Sequence, residues 1–229
     1  MEQTHGQLEL SDKYSLRGQV FDSIREAILS GKYHRNDELR EMTLAKELGV
    51  SRTPIREALR QLELEGLVNI IPNKGAYVVG ITDKDIRDIY EMRSMLEGLC
   101  ARWATDNISK EDLEALEEIN DLSVFSAERE KYDKVLELDN RFHQVLYRAA
   151  KSRMLDKTLS DFHHYLEHLR KQTLSSPERV HASIEEHKAI VQALKARDAK
   201  QAELLANAHI KKTMDNIEDK HLLSTNTKE

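Results

Sequence analysis

The sequence predicts a mainly α protein in which one short β-hairpin interrupts a series of helices. Three observations lead to this fold class. Only three prolines and eight glycines occur among 229 residues, which favours long helices. Apolar residues recur at helical spacing along most of the chain, and a hairpin pattern occurs only near residues 67–79. We therefore predict two parts, a smaller one over residues 1–81 and an all-helical bundle over residues 82–229.

The first predicted helix follows the stretch "SLRGQVFDSIREAILSG". Leu16, Val20, Ile24 and Ile28 recur at helical spacing there, and Gly31 is a suitable helix stop. A polar turn, "KYHRNDE", separates this helix from the next.

Two further helices and the hairpin complete the N-terminal part. The segment "TLAKEL" predicts a short helix that ends at Gly49, and Ser51 can cap a third helix through Glu65. Two β runs follow at 67–71 and 76–79, joined by a turn over 72–75. The predicted order is helix, helix, helix, β-hairpin.

The C-terminal part shows helical periodicity and no strand signal. Pro177 marks one break between helices. The predicted helices cover about 82–106, 109–129, 131–150, 153–173, 178–197 and 198–219.

Composition limits the classes of function. No apolar run approaches the roughly 20 residues that span a bilayer, and the N-terminus lacks a signal-peptide pattern. Cys100, the single cysteine, excludes an intrachain disulfide and fits a reducing cytoplasm. We predict a cytoplasmic protein without a membrane partner. The net charge is −6, of which residues 1–81 carry only −1. Any contact with DNA must therefore come from a local basic patch.

Such a patch is predicted on the third helix, whose sequence is "SRTPIREALRQLELEGLV". Arg52, Arg56 and Arg60 are spaced four residues apart, and each step turns about 400°, so they form one stripe. The alternative is a solvated face on which these arginines pair with nearby acids such as Glu57 and Glu63.

The neighbouring elements favour DNA binding. A short helix, a tight "GV" turn, the arginine helix and a hairpin with Lys74–Gly75 at its tip form a winged helix-turn-helix pattern. A helix of this kind enters the major groove of double-stranded DNA, where arginine reaches guanine edges or phosphates. Gly75 can instead serve only as a turn residue with positive φ. The predicted DNA contacts are Arg52, Thr53, Arg56, Arg60, Lys74 and Gly75.

The motif "LAKELGVSRTPIREALRQLELEGLV", followed by "PNKGAYV", resembles the DNA-binding domain of the GntR family of bacterial transcription regulators. The resemblance covers about residues 14–80. It implies that Arg52, Arg56 and the Lys74–Gly75 region contact DNA. A homodimer would bind an inverted-repeat operator, since a two-fold dimer requires a two-fold site.

The helical part contains a second pattern, made of potential metal ligands. Asp139 and His143 lie one helical turn apart on the face that Leu136 and Leu146 share. His187 and His209 lie in register with apolar residues of two later helices. Three imidazoles and one carboxylate suit a divalent transition metal, and zinc, nickel and manganese all fit. The alternative is that each is an ordinary core residue. The other seven histidines show no comparable pattern.

This part resembles the FCD effector domain of the FadR-like branch of the same family, over about residues 82–219. Metal-binding members carry Asp-x-x-x-His on one helix and one His on each of two later helices, which match Asp139, His143, His187 and His209. The resemblance implies a small organic acid as effector and suggests Arg93 as a residue of the ligand cavity. The alternative for Arg93 is a surface pair with Glu97.

Together these observations predict a ligand-responsive DNA-binding transcription regulator, with repression as the default, and not an enzyme. A metal-ion sensor is one alternative. A metal-dependent hydrolase is another, for which Glu185 and Glu186 are the only candidate bases, and we expect both to face solvent.

Overall fold

The computed structural model describes residues 16–173, 176–220 and 222–223. The chain divides into two compact units between Thr82 and Asp83. Mainly helical structure with one small sheet is confirmed, and the N-terminal unit is a winged helix-turn-helix. Among the described helices, none is both long and apolar enough to cross a membrane.

Three helices and a three-stranded sheet make up the N-terminal unit. The helices are α1 (Leu16–Leu29), α2 (Glu41–Leu48) and α3 (Arg52–Leu64), and the strands are β1 (Glu38–Leu39), β2 (Val68–Ile71) and β3 (Gly75–Val78). The antiparallel sheet has the order β1-β3-β2. Strand β1 was not predicted, because its two residues lie in a polar stretch with no periodicity to detect.

Helix α3 buries one face and exposes the other. Ile55, Ala58, Leu59 and Leu62 are buried, as the periodicity predicted. Gly49 makes the tight turn before α3 in the left-handed conformation (φ 66°), which glycine adopts without steric cost. Ser51 is the N-cap residue of α3, as the sequence predicted, but its side chain makes no capping hydrogen bond.

The second unit is built from seven described helices. They are α4 (Asp83–Asn107), α5 (Lys110–Ala127), α6 (Tyr132–Ala149), α7 (Arg153–Tyr165), α8 (Glu167–Thr173), α9 (Pro177–Lys195) and α10 (Ala199–Asp219). The single helix predicted over 153–173 is interrupted at Leu166, where the backbone leaves the helical conformation.

Close packing of α4 against α10 and of α5 against α6 and α9 forms the core of this unit. Gly98 marks the tightest approach, since a Cβ atom there would lie 1.8 Å from Oδ1 of Asn207. Cys100 is fully buried nearby, and its thiol donates to the carbonyl of Leu146 at 3.7 Å. The interior histidines described below therefore lie within a densely packed bundle.

Candidate nucleic-acid interface and candidate metal centre

The exposed face of α3 carries the predicted arginine stripe. Arg52 and Arg56 expose 57% and 51% of their side chains, and Arg60 is also exposed. These three side chains and Gly75 line one groove of about 600 Å³ between α2, α3 and the sheet. Thr53 and Lys74 are exposed next to this groove.

Glu41, in the first turn of α2, is the acid that pairs with the stripe. Its carboxylate accepts hydrogen bonds from Arg52 at 2.7 and 3.2 Å and from Arg56 at 3.0 Å through both of its oxygens. The hydrogen bonds from Arg56 and Arg52 lower the pKa of Glu41 to about 2. Arg52 and Arg56 therefore pair with an acid of the preceding helix and not with an acid of their own helix. Glu63, one of the acids considered above, instead accepts a hydrogen bond from the backbone N–H of Ile70.

The hairpin presents its tip beside this face. The turn between β2 and β3 is closed by a hydrogen bond from the Lys74 N–H to the carbonyl of Ile71 at 3.0 Å. Gly75 has φ 119°, a conformation that side-chain-bearing residues rarely adopt. The position therefore needs glycine for the turn, whether or not it also contacts DNA.

Three histidines meet inside the helical unit. His143 of α6, His187 of α9 and His209 of α10 are all buried, and one potential ligand atom from each lies within 4.8 Å of the other two. The Nε2 atoms of His187 and His209 are 3.3 Å apart. Periodicity had predicted that each points inward, and the structure brings all three to one place.

Asp139 lies at the edge of this cluster. Its Oδ1 is 3.7 Å from Nε2 of His187, and its other oxygen contacts the guanidinium of Arg170 on α8. The carboxylate is buried together with that arginine. Asp139 is not among the residues whose ligand atoms all lie within 4.8 Å of one another, so the structure places it next to the three histidines but pairs it with Arg170.

Two carboxylates that the sequence analysis did not assign hold the imidazoles from outside. Oε2 of Glu97 lies 3.1 Å from Nδ1 of His143 without hydrogen-bond geometry, whereas Oε2 of Glu186 forms a hydrogen bond of 2.7 Å with Nδ1 of His209. Phe142 stacks on the ring of His187 with centroids 3.9 Å apart. A carboxylate on Nδ1 favours the tautomer whose Nε2 lone pair is free for a metal.

The expectation that Glu186 faces solvent was wrong. Its carboxylate also receives two hydrogen bonds from Arg179, at 3.0 and 2.8 Å. Glu186 lies on one face of α9 with Arg179, Ser183 and Ile190, which are all buried. The sequence signal for this was weak, because only Ile190 of these neighbours is apolar.

Burial keeps two of the three imidazoles uncharged at neutral pH. Desolvation lowers the pKa of His209 to about 4 and the pKa of His187 well below its usual value. For Glu186, burial opposes ionisation, but hydrogen bonds from His209 and Arg179 outweigh it and lower the pKa to about 2. At neutral pH the imidazole of His209 is thus neutral and its partner Glu186 is ionised. A neutral imidazole is the form that binds a metal.

A small cavity of about 20 Å³ adjoins the cluster, with Arg93 among its lining residues. Arg93 pairs with Glu97 as the alternative interpretation had it, but both are buried, at 2% and 1% exposure, so the pair does not lie at the surface. The hydroxyl of Tyr147 donates to the same carboxylate at 2.8 Å. The remaining lining residues are Asp139, His143, Arg170, Arg179, Ser183, His209, Ile210 and Thr213.

A fourth histidine, His163 of α7, stands beside this group. Its ring centroid is 5.4 Å from that of His143, and its Nε2 is 2.8 Å from Oδ1 of Asn140. The sequence analysis gave it no pattern, although His163 follows Leu155 and Leu159 at four-residue steps on the buried face of α7, and that spacing was the available signal.

Comparison with known proteins gives two family matches. The model described as "Bacterial regulatory proteins, gntR family" matches residues 16–78, and the model of the FCD domain matches residues 88–212.

Curated relatives match over most of their length. The "Probable D-xylose utilization operon transcriptional repressor" of Paenarthrobacter nicotinovorans is 30% identical, over 86% of each chain. The gluconate operon transcriptional repressor of Bacillus subtilis (strain 168) is 28% identical, over 91% of this chain and 86% of the relative. The transcriptional repressor RspR of Escherichia coli (strain K12) is 25% identical, over 91% and 92%.

Among solved structures, the chain is similar to McbR/YncC of E. coli, with a TM-score of 0.70 and 20% identity over 90% of this chain and 99% of the other. A likeness at this identity concerns the fold.

Proposed function

This chain belongs to the gntR family of bacterial regulatory proteins and carries an FCD effector-binding domain, and on that basis we propose which residues read DNA and what the helical unit senses. It is a DNA-binding transcriptional regulator and not an enzyme. Its named relatives are likewise transcriptional regulators. We propose that it represses transcription as a homodimer, and that a divalent transition metal and a small carboxylate in the helical unit control its affinity for an inverted-repeat operator.

DNA contact is assigned to the exposed face of α3 and the hairpin tip. The planar guanidinium groups suit guanine edges and phosphates, and the start of α3 adds the partial positive charge of a helix N-terminus. The proposed contacts are Arg52, Thr53, Arg56, Arg60, Lys74 and Gly75.

Metal binding is assigned to Asp139, His143, His187 and His209. The observation that carries this proposal is the convergence of three buried histidines within 4.8 Å. Nitrogen ligands about 2.0–2.1 Å from one zinc ion at tetrahedral angles lie about 3.3–3.4 Å apart, and the Nε2 atoms of His187 and His209 are 3.3 Å apart. Zinc, nickel and manganese all suit this donor set.

The same residues explain how a carboxylate effector would be held. A bound divalent ion supplies positive charge for a carboxylate oxygen, and Arg93, buried in the cavity wall, supplies a second positive group. To bind the ion, Asp139 would have to give up its contact with Arg170. The guanidinium of Arg170 would then be free to bind the carboxylate of the effector. Relatives named for gluconate and D-xylose operons favour sugar acids as the first compounds to test.

Dimerisation is assigned to the exposed apolar side of α4. Met92, Met95 and Trp103 expose 40–60% of their side chains at spacings that place them on one helix face. Exposed apolar stripes of this kind commonly mark protein–protein contacts.

A metal-ion sensor is the second candidate, and the cavity size favours it. About 20 Å³ holds one species the size of a water molecule, and a sugar acid needs far more. In that case the metal alone would change operator affinity.

Operator binding is tested with a duplex that the protein selects from a random pool. Arg56→Ala should weaken binding to that duplex by about 1–3 kcal/mol if Arg56 reads a base. Arg148→Ala, which removes the same charge from an exposed position on α6 of the helical unit, is the matched control. An unchanged affinity in Arg56→Ala would remove this residue from the contact set.

The sensing function is tested by metal titration of chelator-treated protein, with and without gluconate. A carboxylate sensor should change operator affinity by about 5–150-fold, the usual range of allosteric coupling, only when metal and acid are both present. A metal sensor should respond fully to the ion alone. Absence of any bound metal would refute both forms of the proposal.

A further inference from the structure

Glu41 joins the two best-placed arginines of the reading face through a single carboxylate. Oε2 accepts from Nη2 of Arg52 at 2.7 Å and from Nε at 3.2 Å. Nε of Arg56 donates to Oε1 at 3.0 Å, while its Nη2 donates to Oε2 at 3.0 Å. Each guanidinium is therefore fixed through two of its nitrogens.

This arrangement leaves each arginine able to contact DNA. A guanidinium has five N–H donors, and two bonds to the carboxylate leave three. A bidentate contact with the O6 and N7 atoms of guanine needs two. Glu41 thus restricts the orientation of Arg52 and Arg56 without using up the donors that a base requires.

The exposures of the three groups support this division of roles. Glu41 exposes 26% of its side chain, whereas both arginines expose more than half. The carboxylate is thus less accessible than the guanidinium groups to a molecule that binds this face. It also offsets part of their positive charge, and so weakens attraction to phosphates of any sequence.

We propose that Glu41 is a positioning residue for sequence discrimination, because it holds Arg52 and Arg56 in the orientation that reads bases and reduces their attraction to the phosphate backbone. The inference rests on the proposed contacts of these two arginines with DNA. It goes beyond those contacts because it assigns a role in sequence discrimination to Glu41, an acidic residue that lowers the affinity for DNA of any sequence.

If Glu41 only stabilised the packing of α2 against α3, its removal would have different consequences. Loss of that stabilisation would lower thermal stability and weaken binding to all duplexes in parallel. A positioning role predicts opposite changes for specific and random DNA, so the ratio of the two affinities separates the roles.

The test measures binding of full-length variants to two probes: the duplex that the wild-type protein enriches from a random pool, and the unselected pool itself. In Glu41→Ala, affinity for the pool should rise, affinity for the selected duplex should fall, and their ratio should drop by about tenfold, within the range of one lost base contact. The salt dependence of binding to the pool should steepen by about one ion if a released arginine contacts phosphate.

Glu47→Ala is the matched control, since Glu47 lies on the same helix and pairs with Lys32 and Tyr33 instead of the arginines. It removes the same charge and should leave the ratio of affinities within about twofold of wild type. Glu41→Gln keeps the size of the side chain and one acceptor oxygen, so its ratio should lie between those of wild type and Glu41→Ala.

Three results would overturn the inference: an unchanged ratio in Glu41→Ala, an equal loss in Glu47→Ala, or, if Glu41→Ala does not fold, an unchanged ratio in Glu41→Gln. The proposed operator binding fails separately, when the wild-type protein enriches no sequence from the pool. Enrichment by wild type with unchanged ratios in both Glu41 variants contradicts only the role of Glu41.

Discussion

Single side chains decide whether the buried histidines can hold a metal. His209 is fixed by Glu186 on its Nδ1 side and faces His187 through Nε2. The sequence predicted the three histidines, because each follows the apolar period of its own helix. It could not predict Glu97 and Glu186 as their partners, since contacts between helices depend on packing that no single period contains.

Removal of Glu186 should weaken metal binding without removing a ligand. In Glu186→Ala, His209 loses the acceptor that fixes its tautomer, and metal affinity should fall by about 10–100-fold. Competition with a chelating dye measures the affinity. Glu185 is the exposed neighbour of Glu186, so Glu185→Ala is the control and should bind metal like wild type. His187→Ala removes a proposed ligand and should lose most of the metal. Equal affinities in the two glutamate variants would contradict the role of Glu186.

The metal-free protein should lose stability between pH 7 and pH 5. Burial lowers the pKa of His187, His163 and His209, the last to about 4, so the folded state binds fewer protons than the unfolded state below about pH 6.5. Their stabilising contribution is complete above that pH and is lost as the pH falls, at up to about 1.4 kcal/mol per pH unit for each group.

Thermal unfolding of chelator-treated protein at both pH values measures this change. Metal-loaded protein serves as the comparison and should show a steeper dependence, because protons compete with the ion for the imidazoles. A midpoint that rises on acidification would show that the histidines are not held neutral.

At the scale of elements, helix positions followed from periodicity, whereas interruptions did not. The strands of the hairpin lie within one residue of the predicted runs, since a turn of Pro72, Asn73 and Gly75 has strong local chemistry. The break at Leu166 has no such signal, because Tyr165, Leu166 and Glu167 all tolerate a helix. There the packing of α7 and α8 on the bundle decides the conformation.

Gly98 provides the test of helix packing. Alanine is favoured over glycine within a helix by about 1 kcal/mol, but a Cβ at this position would collide with Asn207 of α10. We expect Gly98→Ala to destabilise the protein by about 1–3 kcal/mol, as overpacking usually does. Denaturant unfolding measures the change.

The double variant gives the control for this prediction. In an Asn207→Ala background the obstruction is absent, so Gly98→Ala should be neutral or stabilising there. If Gly98→Ala has the same effect in both backgrounds, the contact between α4 and α10 does not limit the size of residue 98.

At the scale of the whole molecule, the proposed two-fold dimer would select operators that are inverted repeats, because each subunit would bind one half-site. The apolar stripe on α4 was not singled out from the sequence, because Met92, Met95 and Trp103 follow the same helical period as buried residues do. Only the fold shows which of two apolar faces is covered.

Met95→Glu should shift the protein toward monomer and weaken its binding to an inverted repeat. A charged side chain at the centre of an apolar contact is costly to bury. Analytical ultracentrifugation measures the mass. Leu204→Glu places the same charge at a comparably exposed apolar position on α10 and should remain dimeric. An unchanged mass in Met95→Glu would show that this side of α4 is not the contact.

The burial of Cys100 has a practical consequence for spectroscopy. It is the only thiol in the sequence, it is sealed within the bundle, and burial raises its pKa, so maleimide reagents should leave the wild-type protein unmodified. A cysteine introduced in place of Leu64, which is 82% exposed at the end of α3, would then accept a spin label alone. In a two-fold assembly that one label yields the separation between both copies of the recognition helix, and its change on adding metal or acid would record the regulatory motion directly.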